Sequence, residues 1–375
     1  MKTAILISNL RFGGAEVQTV ELANNLSALG DEVLLITMDA DLSIRERAAP
    51  GVRIVVLGKK YYADPKVLKK LVVLLREFKP ESFIMVNSYP AMYGYLASLF
   101  TGRRFKMVNI QHTTLHKGFV DALQNMYYMP AIRRMDHVVF VSANQMEHWI
   151  RKYRIRSENA VVIHNGIDMS RFEGFSADTA ALRESYGFEP SDVVVGVSAN
   201  LRPEKKHEDL IEALVSLRSR GYPVKLLFIG DGVQRKYLEN IILEKGVESH
   251  VVITGFMQDI RPALSCVDIS ALTSTAVETL SIAIIESMAM VKPIVMSNIG
   301  GAAELVEDGQ NGFLYEAGNV AQLVEAISKI VDGELFEEMG RKSFERAKRL
   351  FHTTGMVNKY VGLLNDRSNT VTAEG

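Results

Sequence analysis

Short runs rich in valine and isoleucine alternate with amphipathic stretches along this chain, and the series occurs twice. Continuously apolar runs, without inside-outside alternation, suit strands covered on both faces, and helical periodicity between them supplies the cover. The first series runs Ala4–Ser8, Glu32–Met38, Val52–Leu57, Ser82–Val86, Phe105–Ile110, His137–Val141 and Ala160–Ile163. The second runs Asp192–Ser198, Val224–Ile229, His250–Ile253, Asp268–Leu272 and Pro293–Met296. A helical pattern over Ala15–Leu29 ends at Gly30, placed just past the helix for a left-handed turn. The expected fold is α/β, with two Rossmann-like parallel sheets. The polar stretch Asp168–Asp192, with Gly174 and Pro190, reads as the linker. Ligands of such sheets sit beyond the C-terminal ends of the strands, so the site is expected in a cleft between the halves.

A chain of 375 residues exceeds what one core usually organises. Its 47% hydrophobic and 23% charged content is that of a globular protein. Cys266 is the only cysteine, which excludes an intramolecular disulfide, a cysteine zinc cluster or a CxxC redox pair; between Leu264 and Val267 it reads as a buried thiol. The apolar run after Lys2 turns polar at Ser8, too soon for a signal peptide, and Glu286 and Lys292 interrupt the best candidate for a membrane helix. A soluble, cytoplasmic protein is expected. Residues 1–175 hold 23 Lys and Arg against 16 Asp and Glu, a net +7, and the remainder holds 20 against 28, a net −8. The basic pairs Lys59-Lys60, Lys69-Lys70 and Arg103-Arg104 and the run Arg151–Arg156 suit an anionic partner or simply solvated helix faces.

Four segments at strand ends carry candidate chemistry. Gly13-Gly14 follows the first strand and opens the first helix, where free amides and the helix dipole favour an anion; the segment departs from the GxGxxG dinucleotide pattern. Arg202, Lys205 and Lys206 follow the first strand of the second half and suit a diphosphate. Gly230-Asp231-Gly232 marks a tight turn into a helix near Val233. Sharpest is Glu278-Thr279-Leu280-Ser281-Ile282-Ala283-Ile284-Ile285-Glu286. Its first glutamate is expected in a loop and its second two turns into a helix. The amides of Leu280, Ser281 and Ile282 then face a phosphate or sugar, and both carboxylates accept from hydroxyls. Ile282, Ile285 and Met288 equally form the buried stripe of a core helix, in which Glu286 needs a partner.

These segments, with "LANNLSALGDEV", "VVFVSANQ", "VIHNGID", "VVITGF" and "GGAAELVEDGQNGFLY", resemble the retaining glycosyltransferases of family 4 (glycosyl transferases group 1), over roughly residues 3–365. The resemblance implies the GT-B fold. Residues 1–172, joined by the C-terminal helix 352–366, would form the acceptor-side domain, and residues 173–351 the nucleotide-sugar domain; residues 367–375 would be a flexible tail. It implies that Glu286 binds ribose, Glu278 the donor sugar, and Arg202 and Lys205 the diphosphate. Gly13-Gly14 resembles the phosphate and acceptor loop, and His112 the histidine that reaches the donor sugar, with His116 as a competitor. Gly255-Phe256 would meet the base. Thr279 and Val291 stand where family members usually have glycine.

The implied reaction is retaining, hexosyl-type transfer from a nucleotide sugar, with UDP-sugars favoured, to a glycan or lipid-linked glycan in polysaccharide or glycoconjugate biosynthesis. No cofactor or metal is expected, because cations occupy the diphosphate's place; Asp39-Ala40-Asp41 looks like a DxD metal motif but follows a strand of the other half. No nucleic acid is expected as a partner, and the +7 half suits an anionic membrane surface. A GT-B nucleotide-sugar epimerase and a non-catalytic nucleotide-sugar-binding protein are the alternatives.

Overall fold

The computed structural model describes residues 1–102, 105–112, 119–276 and 278–366, excluding the side chains of 119–125. Arg103-Arg104, His116 and the 367–375 tail lie outside the described residues. The chain divides into two compact units, one of residues 1–165 with the chain from 354 onward, the other of residues 166–353.

The first unit holds a parallel sheet of β1 (Lys2–Ile7), β2 (Glu32–Thr37), β3 (Val52–Val56), β4 (Ser82–Val86), β5 (Lys106–Gln111), β6 (His137–Phe140) and β7 (Ala160–Val162). Their order is β3-β2-β1-β4-β5-β6-β7. Its helices are α1 (Gly14–Ala28), α2 (Pro65–Phe78), α3 (Ser88–Thr101), α4 (Phe119–Ile132) and α5 (Ala143–Tyr153). Side chains alternate across each strand, so β1 sends Ala4 and Leu6 into a core shared with α2 to α5, and Ile5 and Ile7 into a core with α1. The second core also takes Met356, Val357, Tyr360 and Leu364 from the last helix of the chain. Leu29 caps α1, and Gly30 follows at φ +93°.

The second unit contains α6 (Thr179–Ser185), β8 (Val193–Ser198), α7 (His207–Ser219), β9 (Val224–Ile229), α8 (Arg235–Lys245), β10 (Val251–Ile253), α9 (Arg261–Ser265) and β11 (Ile269–Leu272). It continues through α10 (Ile282–Ala289), β12 (Ile294–Ser297), α11 (Ala302–Leu305), β13 (Gly312–Tyr315), α12 (Val320–Asp332) and α13 (Phe336–Leu350). The last helix, α14 (Thr353–Asn365), returns to the first unit. The second sheet is parallel, in the order β10-β9-β8-β11-β12-β13. Valines 195 and 197 face a core with α7 and α12, and Val194 faces one with α9.

The Asp168–Asp192 segment belongs to the second unit and does not link the two. The Asp178 carboxylate caps α6 by accepting from the Ala181 amide at 3.0 Å. Phe188, with the half-buried Leu182 and Tyr186, packs against Ala263, Leu264 and Cys266. Three apolar residues within a polar stretch suffice to fasten it to the second unit. Cys266 is fully buried, and burial pushes its thiol above the usual range, in keeping with an inert core thiol. Among the described residues, no helix is long and apolar enough to cross a membrane.

Candidate functional site

Because every strand of the second sheet is parallel, the loops after β8, β9, β10, β11 and β12 leave from one edge. The connections reverse direction between β8 and β11, where an open α/β sheet forms its crevice. Arg202, Lys205 and Lys206 follow β8, and Thr273 to Glu278 follow β11, so the two expected segments flank that point.

The Lys205 ammonium donates to the Glu278 carboxylate at 2.5 Å, and the Ser274 hydroxyl donates to the same oxygen at 2.9 Å. Glu278 is only 9% exposed. A buried carboxylate is tolerated when a cation and a hydroxyl satisfy it. The loop bearing Lys205 is held from below, where the buried Thr273 hydroxyl meets the carbonyls of Lys205 and Lys206 at 2.8 and 2.9 Å. The Thr275 amide donates to the Glu204 carbonyl at 3.0 Å. Removing Thr273's hydroxyl by Thr273→Val, which keeps its shape, is expected to raise about tenfold the KM for an anionic ligand held by Lys205, the equivalent of one or two hydrogen bonds. Thr273→Ser is expected to restore the parent value in steady-state kinetics.

Glycines bring these loops together. A Cβ on Gly230, at φ +149°, would lie 2.1 Å from the Ala199 carbonyl oxygen. At Gly300, φ +56°, it would lie 1.5 Å from the Glu278 carbonyl oxygen. Gly230 therefore packs under the start of the Arg202 loop, and Gly300 sets the height of Glu278.

Ser281 caps α10, its hydroxyl accepting from the Ile284 amide at 3.4 Å. Glu286 is the fifth residue of α10 and half-buried, so it stands just past the first turn and not two turns in. The reason is that Thr279, Leu280 and Ser281 remain outside the helix. Leu280 is buried and Ile282 half-buried, while Ile284, Ile285 and Met288 form the core face. Phe256, in the loop after β10, is 62% exposed. Arg202 is exposed and has no ion-pair partner among the described residues. Lys206, in the left-handed conformation at φ +49°, directs its ammonium to Glu208 at 3.0 Å and so does not join the Lys205–Glu278 pair. Gly230-Asp231-Gly232 leads into α8, which begins at Arg235 rather than near Val233.

Burial, with Lys205 adding to it, pushes the His207 imidazole down from its usual value to about 4. The unfolded chain titrates near ~6.5, so it takes up a proton that the folded chain refuses. Stability is therefore expected to fall by up to roughly 3 kcal/mol as pH drops from ~6.5 to about 4. Thermal melts across that range check this, and His207→Gln should flatten the slope.

The remaining expected residues lie in the first unit. Gly13 is the N-cap of α1 and Gly14 its first residue, and Gly13 is extended at φ −163°, a backbone that does not itself require glycine. The Glu16 carboxylate folds back so that a Cβ on Gly13 would lie 2.4 Å from it. Burial raises the Glu16 carboxyl above its usual value. Asp39 pairs with Lys59 and Asp41 with Arg11, so the two acids serve separate ion pairs. His112 stands at the end of β5, half-buried, and burial pushes its imidazole down to about 4.

Two family models match this chain: Glycosyltransferase Family 4 over residues 12–171 and Glycosyl transferases group 1 over residues 178–349. The chain belongs to the family 4 glycosyltransferases. This glycosyltransferase is 23% identical to N-acetyl-alpha-D-glucosaminyl L-malate synthase of Bacillus anthracis, over 94% of each chain. It is 26% identical to the capsular polysaccharide biosynthesis glycosyltransferase CapM of Staphylococcus aureus, over 77% of this chain and 78% of that one. The crystal structure of Anabaena Alr3699/HepE in complex with UDP-glucose superposes with a TM-score of 0.85 at 25% identity, covering 97% of this chain and 99% of that one. These likenesses show the two-domain GT-B fold of a glycosyltransferase.

Proposed function

We propose that this glycosyltransferase moves a sugar from a nucleotide-sugar donor, a UDP-sugar in preference, to a glycan or lipid-linked glycan, with retention of anomeric configuration and without a metal. The observation that carries this reading is the pairing of Lys205 with Glu278 at the topological switch point of the second sheet. A carboxylate suited to sugar hydroxyls and a cation suited to a diphosphate stand side by side there. When donor enters, Lys205 turns to the diphosphate with Arg202, and Glu278 accepts from the sugar. The similar Anabaena structure is described in complex with UDP-glucose, which favours uridine.

In the reaction, the bond from the anomeric carbon to the diphosphate oxygen breaks, and the acceptor oxygen bonds to that carbon on the same face. The acceptor's proton passes to the departing phosphate. Positive charge at Arg202 and Lys205 and the amides at the start of α10 stabilise the leaving group. Ribose goes to Glu286 and the base to Phe256. His112, neutral at pH 7, serves the transferred sugar as a hydrogen-bonding group.

On the acceptor side, Tyr61, Tyr62 and Tyr127 are 71, 53 and 62% exposed, and the Tyr62 and Tyr89 rings lie 5.0 Å apart. Aromatic faces edged with hydroxyls suit sugar rings. Incubating the purified protein with UDP-glucose with and without an acceptor, followed by NMR, tests the reading. Glycoside formed with retention supports it, whereas an epimerised sugar without acceptor, or no turnover at all, opposes it.

Membrane association is proposed at a 610 Å³ cavity lined by Arg133, Arg134, Arg154 and Arg156 in the first unit. Asp136 and Glu158 offset only half of that charge. Co-sedimentation with phosphatidylglycerol vesicles is expected at low salt and should fade as salt is raised. Sedimentation indifferent to lipid charge would remove this part of the reading.

A further inference from the structure

The topological switch point of the first sheet lies between β1 and β4, and Asn87 follows β4 there. Its backbone is at φ +67°, ψ 175°. That region is essentially reserved to glycine, and residues forced into it gather at functional sites. Four hydrogen bonds hold the conformation. The Asn87 amide donates to the Ile110 carbonyl at 2.7 Å, and its carbonyl accepts from the Ala91 amide and from Asn109 Nδ2, both at 3.2 Å. Its side-chain Oδ1 accepts from the His112 amide at 3.0 Å.

Behind Asn87 stands a buried amide ladder. Asn109 Nδ2 also donates to the Met85 carbonyl at 2.8 Å, its Oδ1 accepts from Gln111 Nε2 at 2.6 Å, and Gln111 Nε2 reaches the Ser88 hydroxyl at 3.3 Å. Asn109 and Gln111 are fully buried, so the ladder cannot shift without stranding polar groups. Glycine would hold the same backbone without strain. What asparagine adds is the acceptor at the His112 amide, which fixes where the chain leaves β5.

We propose that Asn87 is a positioning residue for sugar transfer, acting through His112 by way of its side-chain carbonyl. The inference rests on the role given to His112 above. The backbone strain is the cost of placing an acceptor, rather than a hydrogen, at this corner.

The test uses the full chain carrying Asn87→Gly, Asn87→Asp, His112→Ala, and Asn87→Gly with His112→Ala. The readouts are Tm, UDP binding, and kcat and KM with UDP-glucose. Asn87→Gly is expected to keep its Tm, since strain is relieved as a bond is lost, while kcat falls about tenfold and donor KM stays within about twofold. Asn87→Asp retains an acceptor and should keep most of the turnover. In the His112→Ala background, Asn87→Gly should cost nothing further. An unchanged kcat in Asn87→Gly, or the same tenfold loss persisting without His112, would overturn the proposal. If His112→Ala turns over normally while UDP still binds, the role of His112 is wrong and the inference falls with it. If the parent protein neither binds UDP nor transfers sugar, the proposed function itself has failed.

Discussion

Replacing Lys205 with alanine is expected to lower transfer turnover by about 10²- to 10³-fold, the usual cost of removing one preorganised group from a developing charge. Two losses combine. The departing diphosphate loses a cation, and Glu278 is left buried with only the Ser274 hydroxyl, among the described residues, to satisfy it. A buried carboxylate deprived of its cation tends to turn toward water, which would also remove an acceptor for the donor sugar. The fold should survive, because Lys205 lies in a loop after β8 that Thr273 and Thr275 hold by its backbone. Parent-like circular dichroism with the stated loss of kcat is the expected result. Full turnover in Lys205→Ala would mean that the pair belongs to packing alone.

Gly300→Ala should have an effect as large by a different route. Its Cβ would stand 1.5 Å from the Glu278 carbonyl oxygen, and the backbone at φ +56° already disfavours a side chain. Neither partner is the movable end of a side chain, so one of the two loops must shift. Destabilisation of about 2–4 kcal/mol is expected from combined strain and lost packing. Transfer activity should fall below detection even at temperatures where the protein stays folded, because Glu278 moves with its carbonyl. Melting curves and transfer assays at reduced temperature separate the two effects.

The strands were legible because each is an apolar run closed by turn residues, a pattern set by local sequence. β13 escaped notice because Gly312-Phe313-Leu314-Tyr315 is only four residues long and begins with glycine. Gly312 earns its place by its close fit against the Ile294 backbone, which local sequence does not announce. α6 was hidden by polar composition, since Leu182, Tyr186 and Phe188 count for little until Cys266 and its neighbours are seen beneath them. At the site, Glu278, Glu286 and Lys205 were marked by residue type and spacing. Lys206 shows the limit of that reasoning, because nothing in "EKKHE" says which lysine turns toward Glu208.

The residues given no role in the sequence act through distance along the chain. Thr273 matters through carbonyls 67 and 68 positions away, Gly300 through the backbone of Glu278, and Asn87 through an amide 25 positions on. Each is an ordinary residue until the parallel sheet sets its strand end beside another. Gly13 is the converse case, a glycine marked by its place before a helix whose extended backbone does not itself require glycine.

The central claim is that the loops after β8 and β11, with Glu286 on α10, bind the donor nucleotide. Titration of UDP into the parent protein and into Glu286→Ala, followed by calorimetry and by the shift in Tm, tests it most directly. The account predicts saturable binding in the parent and its loss in Glu286→Ala, with the Tm of the free proteins within a few degrees of each other. UDP bound equally well by both would contradict it.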